Sequence, residues 1–265
     1  MSRITTTFEK LRAQKKKALI TYIMAGDPDM DTTEVLISAI EQAGGDILEL
    51  GVPFTDPLAD GPTIQRASER ALKSGATLKK VMALIKRKRN NGEQFPIIIM
   101  TYYNIIFQYG IDKFPQDAVS SGIDGVIIPD LPPEEALEFI RESKVAGLDT
   151  IFLLAPTSTE DRIKKIAASS SGFIYYVSMT GITGARLNNI VEIKGKISEI
   201  RRHTGLPIAV GFGISTEDAA KKITKWADGV IIGSALVKLI EINTGKPRLL
   251  PTVTKFIRSI KEAMG

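Results

Sequence analysis

The chain has 265 residues, of which 43% are hydrophobic and 25% are charged, and it contains no cysteine. These fractions match those of soluble globular proteins and exclude a disordered chain, a collagen-like repeat and a disulfide framework. Without cysteine, the chain also has no thiolate nucleophile and no zinc–thiolate site. We expect a single domain over residues 1–265, because no linker or change in composition divides the sequence.

The net charge is +5, and His203 is the single histidine, so acid–base chemistry is expected from carboxylates, lysine or tyrosine. The basic clusters Lys15–Lys17 and Lys86–Arg89 lack interleaved aromatic residues, which favours a solvated surface over a nucleic-acid site. The N-terminus has no apolar core typical of a secretory signal, and no apolar run approaches the roughly 20 residues that span a bilayer. We therefore expect a cytoplasmic protein that binds neither nucleic acid nor membrane.

Eight short aliphatic runs alternate along the chain with amphipathic stretches, and each run is predicted to be a β-strand. Several runs are almost entirely apolar, which is typical of parallel strands covered on both faces. The runs are Ala18–Ile23, Asp46–Gly51, Pro96–Tyr102, Gly125–Pro129, Thr150–Leu154, Phe173–Ser178, Pro207–Phe212 and Gly229–Gly233.

The segments between these runs carry signals for helices. Asp31–Glu34 can cap a helix that ends at Gly44, and Leu131–Glu135 has the prolines and acids of a first helical turn. The gap after the second run is the longest and holds two predicted helices, Pro62–Lys73 and Thr77–Arg89.

Eight strand–helix alternations predict an α/β fold built as a single (β/α)8 barrel, the TIM barrel. Extra helices are expected, including one at the N-terminus and one in the loop region after strand 2. An open doubly wound sheet is the alternative, but its G-x-G-x-x-G fingerprint is only partly matched by Gly211–Thr216. In a (β/α)8 barrel the active site lies at the C-terminal ends of the strands, so the loops after the runs are where chemistry is expected.

Glu49 is the first candidate for catalysis. Alternation along the second run puts Ile47, Glu49 and Gly51 on one face and Leu48 and Leu50 on the other. If the leucines pack against helices, Glu49 points into the barrel, where desolvation raises its pKa and suits proton transfer near neutral pH. A buried structural glutamate paired with Arg or Lys is an equal alternative.

Asp56 and Asp60 lie in the Pro/Gly-rich loop after the same run. Aspartate before proline or glycine is usually part of a turn, which is the simpler interpretation of each residue taken alone. A second carboxylate in the loop after Glu49 can, however, face a common pocket in a different protonation state.

Three glycine-rich loops, Met179–Gly184, Gly211–Ser215 and Gly233–Ala235, follow the last three runs. Glycine lets the backbone approach a ligand, and the last two loops lead into helices whose N-terminal N–H groups favour phosphate. Loops after strands 7 and 8 are the usual phosphate site of this barrel. We therefore predict phosphate binding there, with ordinary turns as the alternative. No metal is expected, because no cluster has ligand spacing.

The stretch Glu49–Pro62, which reads ELGVPFTDPLADGP and continues Thr63–Gln65, resembles the signature of the tryptophan synthase alpha chain family. The resemblance continues in the same order at Gly26–Pro28, Pro129–Pro132, Tyr175–Gly184 and the two later glycine loops. It thus covers essentially the whole chain.

The resemblance implies a carbon–carbon lyase that cleaves indole-3-glycerol phosphate to indole and glyceraldehyde 3-phosphate, a retro-aldol step of L-tryptophan biosynthesis. It implies that Glu49 carries the proton transfers. Asp60, kept ionised, would accept the indole N–H as positive charge develops on the ring nitrogen.

The remaining site residues implied by the resemblance fall into two groups. The phosphate would be held by Gly184, Gly213, Gly233 and Ser234. The indole pocket and its lid would be formed by Tyr22, Met100, Tyr102, Ile127, Tyr175, Thr183 and Phe212. Tyr102 and Tyr175, considered without the resemblance, could equally be packing residues.

The family's partner is a beta chain that carries pyridoxal phosphate, and the resemblance implies an alpha2beta2 tetramer in which this chain brings no cofactor. Thr55–Pro57 and Asp130–Pro133 would contact the beta chain. The sequence departs from the family at Tyr22, where Phe is common, and at Met179-Thr180, where many members have Arg followed by Ser. The second departure affects contacts that close the lid.

Two other functions stay open: another phosphosugar-processing barrel enzyme, and a non-catalytic regulatory subunit that binds phosphate. An aldolase of the Schiff-base type needs a lysine on a strand, and no predicted strand contains one. A regulatory subunit needs neither Glu49 nor Asp60.

Overall fold

Short parallel strands form the centre of the computed structural model, which describes residues 2–178, 187–211 and 213–265. In chain order the described strands are β1 (Ala18–Met24), β2 (Ile47–Gly51), β3 (Ile97–Met100), β4 (Gly125–Ile127), β5 (Asp149–Ile151), β6 (Leu153–Leu154), β7 (Ile174–Val177), β8 (Ile208–Gly211) and β9 (Gly229–Ile232).

These strands pair in the order β5-β4-β3-β2-β1-β9-β8-β7-β6. The two strands at the ends of this order, β5 and β6, are separated in the chain by Phe152 alone, so together they form one interrupted strand. The sheet therefore closes on itself with eight strand positions. The prediction of a (β/α)8 barrel is confirmed.

Helices cover the outside of the barrel. Within the described residues they are α1 (Arg3–Ala13), α2 (Met30–Gln42), α3 (Pro62–Lys73), α4 (Leu78–Asn90), α5 (Tyr103–Tyr109), α6 (Lys113–Ser121), α7 (Leu137–Ala146), α8 (Glu160–Ser169), α9 (Leu187–Arg201), α10 (Glu217–Ile223), α11 (Ser234–Asn243) and α12 (Leu249–Met264). The expected extra helices are α1 at the N-terminus and the pair α3 and α4 after β2.

Two helix starts differ from the prediction. Helix α2 begins at Met30, because the Asp29 side chain, rather than Asp31, accepts the Thr32 N–H at 2.7 Å. Helix α7 begins at Leu137 rather than near Leu131. The segment before it forms successive turns, with Glu135 N–H donating to Pro132 O and Ala136 N–H to Pro133 O.

The protein has two main hydrophobic cores, one inside the barrel and one between the strands and the surrounding helices. Ile47 lies in the interior cluster, whereas Leu48 and Leu50 lie in the outer one, as the alternation in β2 predicts. Helix α1 closes the N-terminal end of the barrel, and its Phe8 packs against Phe173 with ring centroids 5.7 Å apart. The other end, where the strands finish, is left for the functional site.

Candidate active site

A cavity of about 670 Å³ lies at the C-terminal ends of the strands and contains both candidate carboxylates. Of the residues predicted for the site, those that line it are Tyr22, Glu49, Asp60, Met100, Tyr175, Gly213, Gly233 and Ser234. Tyr102 and Ile127 do not line it in the described part of the chain. Thr183, Gly184 and Phe212, together with Met179-Thr180, lie outside the described residues.

Glu49 points into the barrel from β2, where it lies between Tyr22 of β1 and Ile98 of β3. Its side chain is 1% exposed, and Oε2 has no hydrogen-bond partner among the described residues. Burial, with a smaller contribution from the negative charge of Asp60, raises the pKa of Glu49 to about 8. The carboxyl is therefore protonated at neutral pH.

Asp60 comes from the loop between β2 and α3, and hydrogen bonds hold its backbone in place. Its N–H donates to Pro57 O at 3.0 Å, and Gln65 Nε2 donates to its carbonyl at 2.8 Å. Burial raises the pKa of Asp60 to about 6, while a hydrogen bond from Tyr102 lowers it. Asp60 is thus largely ionised at pH 7. The other candidate of this loop, Asp56, does not line the cavity and accepts a hydrogen bond from Thr55 Oγ1.

Tyr102 lies just after β3, at the residue before α5. Its ring stacks on Phe54, with centroids 5.2 Å apart, and its hydroxyl accepts the Ala59 N–H at 3.0 Å. Ile127 is fully buried in the interior core beside Met100 of β3. Of these three, Met100 reaches the cavity.

Tyr22 and Tyr175 each extend over a glycine of the neighbouring strand, Gly51 of β2 and Gly211 of β8, and both line the cavity. A Cβ on Gly51 would lie 2.2 Å from Tyr22 Oη, and a Cβ on Gly211 would lie 2.6 Å from Tyr175 Oη. Burial raises the pKa of both hydroxyls well above the usual tyrosine value, and the Glu49 charge adds to this. Both hydroxyls are therefore neutral and can donate hydrogen bonds inside the cavity.

The phosphate candidates follow β8 and β9, the strands that pair with β7 of Tyr175 and β1 of Tyr22. Gly213 has a φ of +77°, a left-handed conformation that glycine adopts without strain. Gly233 is the N-cap of α11 and has no side chain to bond the first N–H groups of that helix. Helix α11 thus begins at the cavity wall with N–H groups that suit an anion.

Comparison with known proteins identifies the family. The sequence model of the family described as "Tryptophan synthase alpha chain" matches residues 8–264. The chain belongs to the tryptophan synthase alpha chain family. The chain is accordingly a lyase that carries out the alpha reaction of L-tryptophan biosynthesis.

Individual relatives agree over nearly the full length. The tryptophan synthase alpha chain of Geotalea uraniireducens is 56% identical over 241 residues, which cover 91% of this chain and 90% of the relative. That of Geobacter sulfurreducens is 50% identical over 265 residues and all of both chains.

Solved structures agree as well. The tryptophan synthase alpha subunit of Legionella pneumophila superposes with a TM-score of 0.92 at 40% identity, covering 100% of this chain and 98% of that one. A tryptophan synthase structure from Mycobacterium tuberculosis, described as an aminoacrylate-bound form, gives 0.88 at 33% identity and covers 100% of both chains.

Several residues that line the cavity were not predicted from the sequence. Lys238 lines the cavity from α11, one helical turn after Ser234, and the spacing of four residues could have revealed it. An apolar part of the wall was also missed, formed by Ile64, Ile214, Ile231, Leu239, Ile242 and Phe256.

Charged side chains join three segments around the alpha-chain cavity. Arg70 of α3 bonds both carboxylate oxygens of Asp27, in the loop after β1, and its Nη1 donates to Glu241 of α11 at 2.8 Å. Arg66, one turn earlier on α3, bonds both oxygens of the same Glu241. The helix after Asp60 is thereby tied to the helix that begins at Ser234.

None of the helices in the described residues combines the length and apolarity needed to cross a membrane. No three or more acidic, histidine or cysteine side chains come together there as a metal site.

Proposed function

We propose that Glu49 and Asp60 are the catalytic pair that cleaves indole-3-glycerol phosphate into indole and glyceraldehyde 3-phosphate. The observation that carries the proposal is that two carboxyl groups face one cavity with pKa values of about 8 and about 6. At pH 7 the first is protonated and the second is ionised. Two carboxyls whose environments separate their pKa values can divide acid and charge-stabilising roles between them.

The reaction needs a proton on indole C3, because that carbon keeps the electron pair of the bond that breaks. Protonated Glu49 donates this proton, which leaves positive charge on the ring nitrogen. The ionised Asp60 accepts a hydrogen bond from the ring N–H and stabilises that charge. Removal of the proton from the hydroxyl on the carbon attached to the ring then forms the aldehyde and breaks the carbon–carbon bond. The Glu49 carboxylate, now ionised, is the base for this step.

The substrate phosphate binds, in this proposal, at the start of α11 and at the loop after β8. Gly213, Gly233 and Ser234 offer backbone N–H groups, and the helix dipole favours a dianion there. Lys238 adds a positive side chain on the same face of α11. Gly184 and the lid residue Thr183 belong to the proposal as well, on the strength of the family signature alone.

The indole ring occupies the apolar part of the cavity. Tyr22, Met100 and Tyr175 line it next to Glu49, and Ile64 of α3 lies on the same wall. Phe212 completes this part of the proposal from the signature. An aromatic substrate ring buried among such side chains is oriented by shape and excludes water from the reacting carbon.

We propose further that the chain acts in the cytoplasm, in an alpha2beta2 tetramer whose pyridoxal phosphate belongs to the beta chain, while this chain brings no cofactor. Leu58 is 94% exposed directly after Thr55–Pro57, and Phe107 of α5 is 57% exposed. The first N–H of α5, on Tyr103, donates to Asp130 at 2.9 Å, so the Asp130–Pro133 segment adjoins the same helix. Exposed apolar side chains beside both expected contact segments support docking of a partner there.

The test is release of indole from indole-3-glycerol phosphate by the wild type and by Glu49→Gln, each with and without a beta chain. Loss of general acid–base catalysis predicts a rate lower by roughly 10²- to 10⁴-fold in the variant. Asp56→Asn, an exposed carboxylate of the same loop, is the matched control and should leave the isolated chain's rate unchanged. Turnover that survives in Glu49→Gln would assign the proton transfers to another group. A partnered wild type that binds phosphate compounds but releases no indole would favour a regulatory subunit.

A further inference from the structure

Tyr102 is held in one position by a contact to its ring and a hydrogen bond at its hydroxyl. The residue is buried, its ring stacks on Phe54 at an interplanar angle of 27°, and it is the N-cap of α5. Phe54 is itself fixed through its backbone, because Ser68 Oγ of α3 accepts its N–H at 3.0 Å and donates to its carbonyl at 2.9 Å. The ring therefore has little freedom to turn.

The hydroxyl of Tyr102 is directed at the loop that carries Asp60, which forms part of the cavity wall. It accepts the Ala59 N–H at 3.0 Å, and Ala59 is the residue directly before Asp60. A hydroxyl that already accepts from an N–H keeps its own proton to donate. This hydroxyl also lowers the pKa of the adjacent Asp60 carboxyl, so it favours the ionised carboxylate.

We propose that Tyr102 is a positioning residue for Asp60, holding the carboxylate at the orientation in which it meets the indole N–H. The proposal rests on the role of Asp60 given above. The family resemblance implies that Tyr102 lines the indole pocket, and the positioning role replaces that expectation for this residue. The hydroxyl fixes the backbone at Ala59, and with it the position from which the next residue, Asp60, reaches the cavity.

The Tyr102 hydroxyl also favours the ionised form of Asp60. Burial raises the pKa of Asp60 and the Tyr102 hydroxyl lowers it, so loss of the hydroxyl raises the pKa further. The other charged or titratable groups that share the cavity in the described residues are Glu49 of β2, Tyr22 of β1, Tyr175 of β7 and Lys238 of α11. None of these side chains is altered when the Tyr102 hydroxyl alone is removed.

The experiment is Tyr102→Phe, which keeps the ring and its stacking on Phe54. We expect kcat for indole-3-glycerol phosphate cleavage to fall by roughly 10- to 100-fold, the value of a hydrogen bond to a charged group. KM is expected to change less than about threefold, since the ring and the phosphate contacts remain. The acid limb of the pH–rate profile should move to higher pH, which a purely structural role would not produce.

Tyr109→Phe is the matched control, because the Tyr109 hydroxyl also donates to a carboxylate, Asp117 at 2.8 Å, but on the outside of the barrel. It should leave the rate and the pH profile unchanged. Adding Tyr102→Phe to Asp60→Asn should cost little further activity, because the partner charge is already gone.

The outcomes separate this proposal from the proposed function. An unchanged pH profile and kcat in Tyr102→Phe, with Asp60→Asn inactive, would overturn the positioning role alone. A raised KM with normal kcat would return Tyr102 to the indole wall. Full activity in Asp60→Asn would overturn the catalytic role of Asp60 itself, and with it the purpose proposed for Tyr102.

Discussion

Arg70 of α3 holds Asp27 through two parallel hydrogen bonds, from Nε to Oδ1 at 2.7 Å and from Nη2 to Oδ2 at 2.8 Å. The carboxylate of Asp27 is 2% exposed and sits in the loop after β1, whereas Arg70 follows the Asp60 loop by two turns of helix. A buried carboxylate needs such a partner, because an unpaired charge in the interior is costly. The pair therefore holds the loop after β1 against helix α3, whose first turn lines the cavity.

Removing Arg70 is expected to destabilise the protein strongly. Arg70→Met leaves Asp27 buried without its partner and should lower the free energy of unfolding by about 3–5 kcal/mol. Arg66→Met is the matched control, since Arg66 bonds the more exposed Glu241 and its loss should cost about 1 kcal/mol or less. Urea denaturation of both variants measures the difference. Equal losses in the two variants would contradict a special role for the Asp27 pair.

Glu49 is expected to reduce the stability of the protein at the pH at which it works. Its folded pKa of about 8 lies above the ordinary value of 4.5, so the native state binds more protons than the unfolded state between these two pH values. The stability of the wild type therefore falls as pH rises from about 4.5 to about 8. Glutamine has the same shape and no charge, so Glu49→Gln lacks this fall.

The measurement is the free energy of unfolding of both proteins at several pH values from 5 to 9. The variant should exceed the wild type by an amount that grows up to pH 8, on the order of a few kcal/mol, and then levels. Asp56→Asn, at the surface of the same loop, should follow the wild type. A constant difference across the pH range would mean that Glu49 is charged in the folded protein at pH 5.

The barrel and the direction of Glu49 could be predicted from the sequence because both depend on local periodicity. The aliphatic runs alternate with helices, and the two leucines of β2 fix which face the carboxyl takes. The pairing of Arg70 with Asp27 could not be predicted, since it joins residues 43 positions apart through the packing of two loops and a helix. The same holds for Tyr102. Its place at the end of a predicted strand left a cavity residue and a packing residue equally open, and the contact of its hydroxyl with the Asp60 loop depends on how that loop folds.

The pH dependence of the reaction should reflect both carboxyl groups. Asp60 must be ionised, so kcat/KM is expected to fall below about pH 6, and Glu49 must be protonated to donate, so it should fall above about pH 8. The negative charge of Asp60 contributes to the raised pKa of Glu49. Asp60→Asn should therefore lower the pKa of Glu49. The alkaline fall of its residual activity should begin at a lower pH than in the wild type.

The check on that prediction is the full pH–rate profile of the wild type, Asp60→Asn and Asp56→Asn. Asp56→Asn removes the same charge from the same loop but outside the cavity, and its alkaline limb should stay in place. An alkaline limb that is identical in all three proteins would assign it to a group other than Glu49.

Lys238 is expected to set the preference of the cavity for a phosphorylated ligand. It is the cation among the described residues that line a cavity also holding Glu49 and Asp60, and a substrate dianion has to bind despite those carboxylates. Lys238→Met should weaken binding of glycerol 3-phosphate by about 5- to 10-fold, as expected for a partly solvated charge pair, and leave indole binding unchanged.

Two variants serve as controls. Lys238→Arg should retain most of the affinity. Lys225→Met removes an exposed lysine on the outer surface, which gives the same change in net charge, and should not weaken binding. Because the contribution is electrostatic, the difference between Lys238→Met and the wild type should shrink at high salt. Calorimetric titration with each ligand at two salt concentrations decides the matter: an equal loss of affinity for indole would mean that Lys238 supports the shape of the cavity and not its charge.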